Sequence, residues 1–220
     1  MLKKIYISLF FFFVSIMSSQ ANAALFVEQY LGFQSNNVNV LKNYADNNVA
    51  DTSTYWDIID FTDDPGGFAG ALPGSNPWPS AAAAGVSGTG GINNVFFAKI
   101  TGNFYVPTLD DYIFRTFNDD GVFLFIDGLI TINDASYHPE REFQGTQRLG
   151  QGVHSVELYF FENGGEASLE FSLADSSGTF THFDNPALQV PQQNIPEPSV
   201  ITLMVLAIFG LMFVRRKVLM

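Results

Sequence analysis

Apolar and polar positions alternate with a period near two through much of residues 24–194, and helical periodicity is scarce. Phe26, Glu28 and Tyr30 alternate with Val27, Gln29 and Leu31, and Trp56–Phe61 is another short strand-like piece. Val95–Val106 reads as one strand. Tyr112–Phe117 reads as the next, with Tyr112, Phe114 and Thr116 on one face. Asn118-Asp119-Asp120-Gly121 breaks that strand, after which Val122, Leu124 and Ile126 alternate with Phe123 and Phe125. Asp127-Gly128 predicts a two-residue hairpin turn, because both residues tolerate positive φ, and Leu129–Ile132 returns as a strand. After a polar excursion, His154–Phe161 and Ala167–Leu173 form a further pair, joined across Glu162-Asn163-Gly164-Gly165-Glu166. Short strands with regular turns predict an all-β sandwich or barrel. Residues 65–94 differ in kind: eight Gly and four Pro in 30 positions disfavour both helix and strand, and a loop of that length often carries function.

The two ends break the pattern. Lys3-Lys4, the apolar run Ile5–Met17 and the small-residue site Ala21-Asn22-Ala23 read as a secretory signal peptide over 1–23, cleaved between Ala23 and Ala24. At the other end an uncharged stretch, Val200–Val214, is followed by Arg215-Arg216-Lys217. As a straight helix it reaches ~22 Å against a hydrocarbon core of roughly 30 Å, so it spans only with bilayer thinning or snorkelling arginines, and its basic tip stays cytoplasmic.

The chain has 220 residues and a formal charge of −12, but charge is segregated. All 22 acids fall between Glu28 and Glu197, and that middle holds five basic residues, for a charge of −17. Such a body repels nucleic acid and anionic membranes and attracts cations. No cysteine is present, which excludes disulfides and thiolate metal sites. No nucleophile elbow or zinc motif occurs, so an enzyme is not expected.

The order Pro196-Glu197-Pro198, short apolar helix, basic tip resembles the PEP-CTERM sorting signal of Gram-negative bacteria, over residues 195–217 with its helix at 200–214. In that family an integral-membrane exosortase recognises the tail. The resemblance implies an inner-membrane-anchored precursor passed on to the cell surface or extracellular matrix. An ordinary C-terminal membrane anchor is the alternative.

The body carries a second resemblance. "GNFYVPTLDDYIFRTFNDDGVFLFIDG", then Gly152-Val153-His154 and Phe160-Phe161-Glu162-Asn163-Gly164-Gly165-Glu166-Ala167, resemble the PA14 domain. The resemblance implies an antiparallel β-sandwich over 24–175, with 176–194 as a linker. In the yeast adhesin branch of that family, two adjacent aspartates joined by a cis peptide bind Ca²⁺, an Asn in a later loop completes the site, and the ion holds sugar hydroxyls. Carried over, those roles fall to Asp119, Asp120 and Asn163, both for metal and for carbohydrate. Chemically, two carboxylates and an amide carbonyl supply much of the 6–8-oxygen shell that Ca²⁺ takes. The competing reading is a plain turn, since Asp and Asn-Gly favour turns by themselves.

Weaker candidates surround these. Trp78, between Pro77 and Pro79, is a candidate to stack on a sugar face, or else to anchor its loop on the sandwich. Asp63-Asp64 reads as a solvated turn and Glu140-Arg141-Glu142 as a surface charge cluster, while His138, His154 and His182 lack metal-ligand spacing. The function expected is calcium-assisted binding of extracellular polysaccharide. The alternative is a structural matrix or spacer protein with no sugar ligand.

Overall fold

The computed structural model describes residues 25–63, 70–74, 76–80 and 95–190. The signal peptide with Ala23 and Ala24, and the segment with Pro196, Glu197, Pro198 and the apolar stretch 200–214, lie outside these residues. Among the described residues no helix is long and apolar enough to cross a membrane.

Ten strands among the described residues form two sheets with antiparallel ladders. The strands are β1 (Leu25–Leu31), β2 (Thr52–Trp56), β3 (Asp60–Thr62), β4 (Val95–Val106), β5 (Asp110–Asp119), β6 (Gly121–Ile126), β7 (Leu129–Asp134), β8 (Arg141–Leu149), β9 (Gly152–Asn163) and β10 (Ser168–Ala174). One sheet has the order β2-β1-β4-β9-β6-β7 and the other β3-β10-β5-β8. The interior holds alternate residues from both, including Val27, Ile100, Leu124 and Leu158 from the first and Phe61, Phe114, Leu169 and Phe171 from the second. The hairpin expected at Asp127-Gly128 is present, with φ of 50° and 76° at its two residues.

Four expectations change. The piece Trp56–Phe61 is not one strand: β2 ends at Trp56 in the first sheet, and the chain crosses through Asp57–Ile59 to start β3 in the second. The polar excursion contains β8, an edge strand that pairs with β5 and is largely exposed, so neither of its faces shows an apolar stripe. A helix, α1 (Val38–Asn47), covers the outer face of the six-stranded sheet. The Asn37 side chain caps it by accepting from Asn39 N at 3.0 Å, and Leu41 packs in a second cluster with Tyr30, Phe97, Phe123, Tyr159 and Phe161. Finally, the expected linker from 176 onward belongs in part to the sandwich. Thr181 bridges Leu173, and Phe183, fully buried, lies 4.7 Å from the Phe171 ring.

The described part of the Gly/Pro-rich segment is fastened down. Ala71 N and Leu72 N donate to Glu170 Oε2 at 2.7 and 2.6 Å, while Glu170 Oε1 accepts from Arg115 Nη2 at 2.9 Å. Asn76 then runs beside β3, donating to Asp60 O at 2.7 Å and accepting from Thr62 N at 3.0 Å. Trp78 enters the core. Its ring stacks between Phe61 and Phe160, at 5.0 and 4.8 Å between centroids, and Nε1 donates to Ala167 O at 3.2 Å. It is 2% exposed, so neither ring face is open to a sugar; of the two roles expected for Trp78, anchoring is the one the packing permits.

Asp60 lies under this strap, fully buried, with both carboxylate oxygens lacking a hydrogen-bond partner. Burial, then the charges of Glu170 and Glu140, push its pKa up to about 7. A carboxyl raised in the folded state contributes stability below its unfolded pKa and loses that contribution as pH rises toward the folded value. Without divalent cations, the melting temperature is therefore expected to fall between about pH 4 and 7, and Asp60→Asn to flatten that fall by on the order of 5 °C. Parallel wild-type and variant curves of melting temperature against pH would contradict this.

Candidate functional site: a carboxylate cluster at one end of the sandwich

The inward face of β5 changes character along its length. Tyr112 and Phe114 are apolar, but the next two inward positions are Thr116 and Asn118, both fully buried. Thr116 Oγ1 donates to Asn118 Oδ1 at 2.7 Å, and Asn118 Nδ2 donates to Asp120 O at 2.6 Å and Asp134 Oδ2 at 2.9 Å. The interior thus becomes polar toward the turn between β5 and β6. That turn is a single residue: β5 runs to Asp119, β6 starts at Gly121, and the Asp119–Asp120 peptide is cis. Gly121 is required there by space, since a Cβ would lie 2.2 Å from the Phe161 ring.

Asp119, Asp120 and Glu162 each bring a carboxylate oxygen into one group, all within 4.8 Å of one another. Asp120 is framed by two backbone donors, His138 N to Oδ1 at 2.7 Å and Asn163 N to Oδ2 at 2.9 Å. Glu162, fully buried at the end of β9, accepts from Asp120 N at 3.1 Å and from Gly164 N at 2.5 Å. Asn163 is exposed, and its Oδ1 accepts from Gln34 Nε2 at 2.7 Å. Asp119 and Asp120 therefore meet Asn163, 43 residues beyond Asp120, at one end of the sandwich.

The electrostatics are those of crowded like charges. Burial first, and then the charge of Asp120, push Asp119 up to about 7. The same two causes push Glu162 up to about 9. Three neighbouring carboxyls share one partly desolvated place, so at neutral pH they hold a proton or call for a cation. Oxygen donors only, at this density of charge, suit a hard divalent ion.

The sequence left three participants unassigned. Glu162 directly precedes Asn163, and that adjacency at a strand end was the available signal. His138 acts through its backbone N–H, while its ring lies between Asp134 Oδ2 at 2.5 Å and Pro139 O at 2.8 Å; no side-chain spacing reports this. Gln34 comes from the connection between β1 and α1, and nothing local marks it. One surface reading also changes: Asp63 is nearly buried, with Oδ1 accepting from Ala167 N at 2.8 Å. Glu140, Arg141 and Glu142 are exposed as expected, and Glu140 accepts from Ser168 Oγ at 2.6 Å and Gly70 N at 3.3 Å. Asp64 lies outside the described residues.

Residues 79–181 match the family model described as PA14 domain. No curated protein sequence matches the chain. Among solved structures, the chain is similar to the PA14 sugar-binding domain from RTX adhesin, at 24% identity and a TM-score of 0.54, over 74% of this chain and 95% of that one. It is also similar to the PA14 domain of the MpAFP antifreeze protein, at 16% identity and 0.56, over 76% and 90%. An anti-sigma factor domain-containing protein from Clostridium clariflavum aligns at 18% identity and 0.51, over 79% of this chain and 50% of that one. At these identities the structural likeness is one of fold. The family model thus matches residues 79–181, and the fold of the chain is that of the PA14 domains it aligns with.

Proposed function

We propose that the protein is an exported cell-surface or extracellular-matrix protein that binds carbohydrate through a Ca²⁺ ion at the Asp119–Asp120 turn. The observation that carries this reading is the convergence of the Asp119, Asp120 and Glu162 carboxylates within 4.8 Å, with Asn163 alongside. Asp119, Asp120 and the Asn163 carbonyl would hold the ion, and Glu162 adds charge beneath it. The ion supplies open coordination positions that vicinal sugar hydroxyls fill. A structural neighbour described as a sugar-binding domain from an adhesin supports the same direction. In this reading an exosortase sorts the chain from the inner membrane through Pro196, Glu197 and Pro198, and lasting retention of the whole protein in the inner-membrane fraction would contradict that part.

The binding half is tested by measuring the purified protein on an array of extracellular polysaccharides and oligosaccharides with calcium or with EDTA. Retention is expected in calcium, with at least a tenfold loss in EDTA and in Asp119→Asn. Equal retention in all three, or none in calcium, would overturn it, and the second result would favour a spacer role.

A further inference from the structure

The chain's large aromatic side chains are mostly interior, and among the described residues those that are exposed are Tyr55 and Tyr137. Tyr55 belongs to β2 at the edge of the six-stranded sheet and packs on Phe26, 4.9 Å between centroids. Tyr137 is placed differently. It precedes His138, whose backbone N–H bonds Asp120, and it is 47% exposed. Its hydroxyl lies 3.4 Å from Gln34 Nε2, and the same Gln34 nitrogen donates to Asn163 Oδ1 at 2.7 Å. Its ring packs at 81° to Phe161, 5.6 Å between centroids, and Phe161 is fully buried. Tyr137 is therefore tied to the carboxylate cluster along two routes, through its neighbour in the chain and through Gln34 and Asn163. It is held at both the hydroxyl and the ring, yet almost half of it faces solvent.

A rigid aromatic beside a cation site divides recognition of a saccharide in two. Hydroxyls go to the ion. The flat C–H side of a ring-form sugar goes to the aromatic face, where an apolar body with a polar tip gives contact at low entropic cost. Resting on the calcium–carbohydrate reading above, we infer that Tyr137 is a specificity-determining residue that selects cyclic pyranoses over acyclic polyols with the same vicinal hydroxyls. Gln34 acts as its positioning residue, because one amide reaches both the tyrosine hydroxyl and the Asn163 carbonyl. An acyclic polyol presents the hydroxyls without a rigid C–H face and gains nothing from the ring.

The test compares methyl hexopyranosides and multivalent pyranose conjugates with mannitol and sorbitol, as competitors and as ligands of the purified protein in calcium. Calcium affinity is measured separately by calorimetry. Wild type is expected to prefer pyranoses by at least about tenfold. Tyr137→Ala is expected to remove that preference with calcium affinity unchanged within about twofold, and Tyr137→Phe to keep a reduced part of it, since the ring meets the sugar but the hydroxyl's tie to Gln34 is lost. Pyranose preference that survives in Tyr137→Ala overturns the role of Tyr137 and leaves the calcium reading standing. Calcium binding without any saccharide binding by wild type overturns both the carbohydrate reading and the selector. A parallel loss of calcium affinity in Tyr137→Ala overturns the selector in favour of a purely structural role.

Discussion

Calcium at about a hundredfold excess over its dissociation constant is expected to raise the melting temperature of the protein by ~5–10 °C, and Asp119→Asn to remove most of that rise. The size follows from mass action: an ion that binds the folded chain alone contributes about 2.7 kcal/mol at that excess, and a chain of this length gains roughly 2–4 °C per kcal/mol. The sign of the variant's effect depends on the ion. In EDTA, wild type keeps three carboxyls within 4.8 Å; near neutral pH Glu162, pushed up to about 9, keeps its proton, while Asp119, pushed up to about 7 by burial and the charge of Asp120, is part ionised against that repulsion. Removing one charge relieves repulsion, so Asp119→Asn melts at or above the wild-type temperature without calcium and below it with calcium. Thermal unfolding of both proteins in both buffers reads this directly. Variant curves that track wild type in both conditions would mean that Asp119 is a turn residue and no ligand.

Trp78→Ala is expected to cost about 3–5 kcal/mol, the range for truncating a buried large aromatic, which is a large share of the stability of a marginally stable domain. The reason is local. Trp78 ties the strap to the core by stacking between Phe61 and Phe160 and by donating to Ala167 O, and Ala at that position leaves a cavity and a buried carbonyl without its donor. The loss is felt near the site as well. Ala167 closes the connection that begins at Glu162 and Asn163, and its N–H is also held by Asp63. Urea unfolding measures the effect, with Trp78→Phe as the milder companion. An unfolding free energy within about 1 kcal/mol of wild type for Trp78→Ala would show that the strap is fastened by the Glu170 contacts alone.

The sheet strands that bury one clear apolar face were legible from alternation, and β4 was read with its observed bounds of Val95–Val106. Hidden elements are those whose burial is not written in a local pattern. Most of β8 is exposed and polar, with Leu149 its one buried residue, and its strand identity comes from pairing with β5. Helix α1 has Val38, Leu41, Tyr44 and Ala45 at helical spacing, but they sit among asparagines, and their target is the outer face of a sheet ordinarily expected to be solvated. At the candidate site, family resemblance named Asp119, Asp120 and Asn163, which the structure brings together. Glu162 and Gln34 were not legible, because one is a strand-end acid among 22 in the chain and the other depends on a contact 129 residues distant. For Trp78 the sequence allowed both a sugar platform and a loop anchor, and its partners Phe61, Phe160 and Ala167 O make it the anchor.

The most direct measurement is a crystal structure of the purified protein grown with calcium and a methyl hexopyranoside. The account predicts one ion with oxygens of Asp119, Asp120 and Asn163 at roughly 2.3–2.6 Å, and sugar hydroxyls completing its shell. Carboxylates bonded only to protein donors and to each other at saturating calcium, with no ion between them, would contradict it.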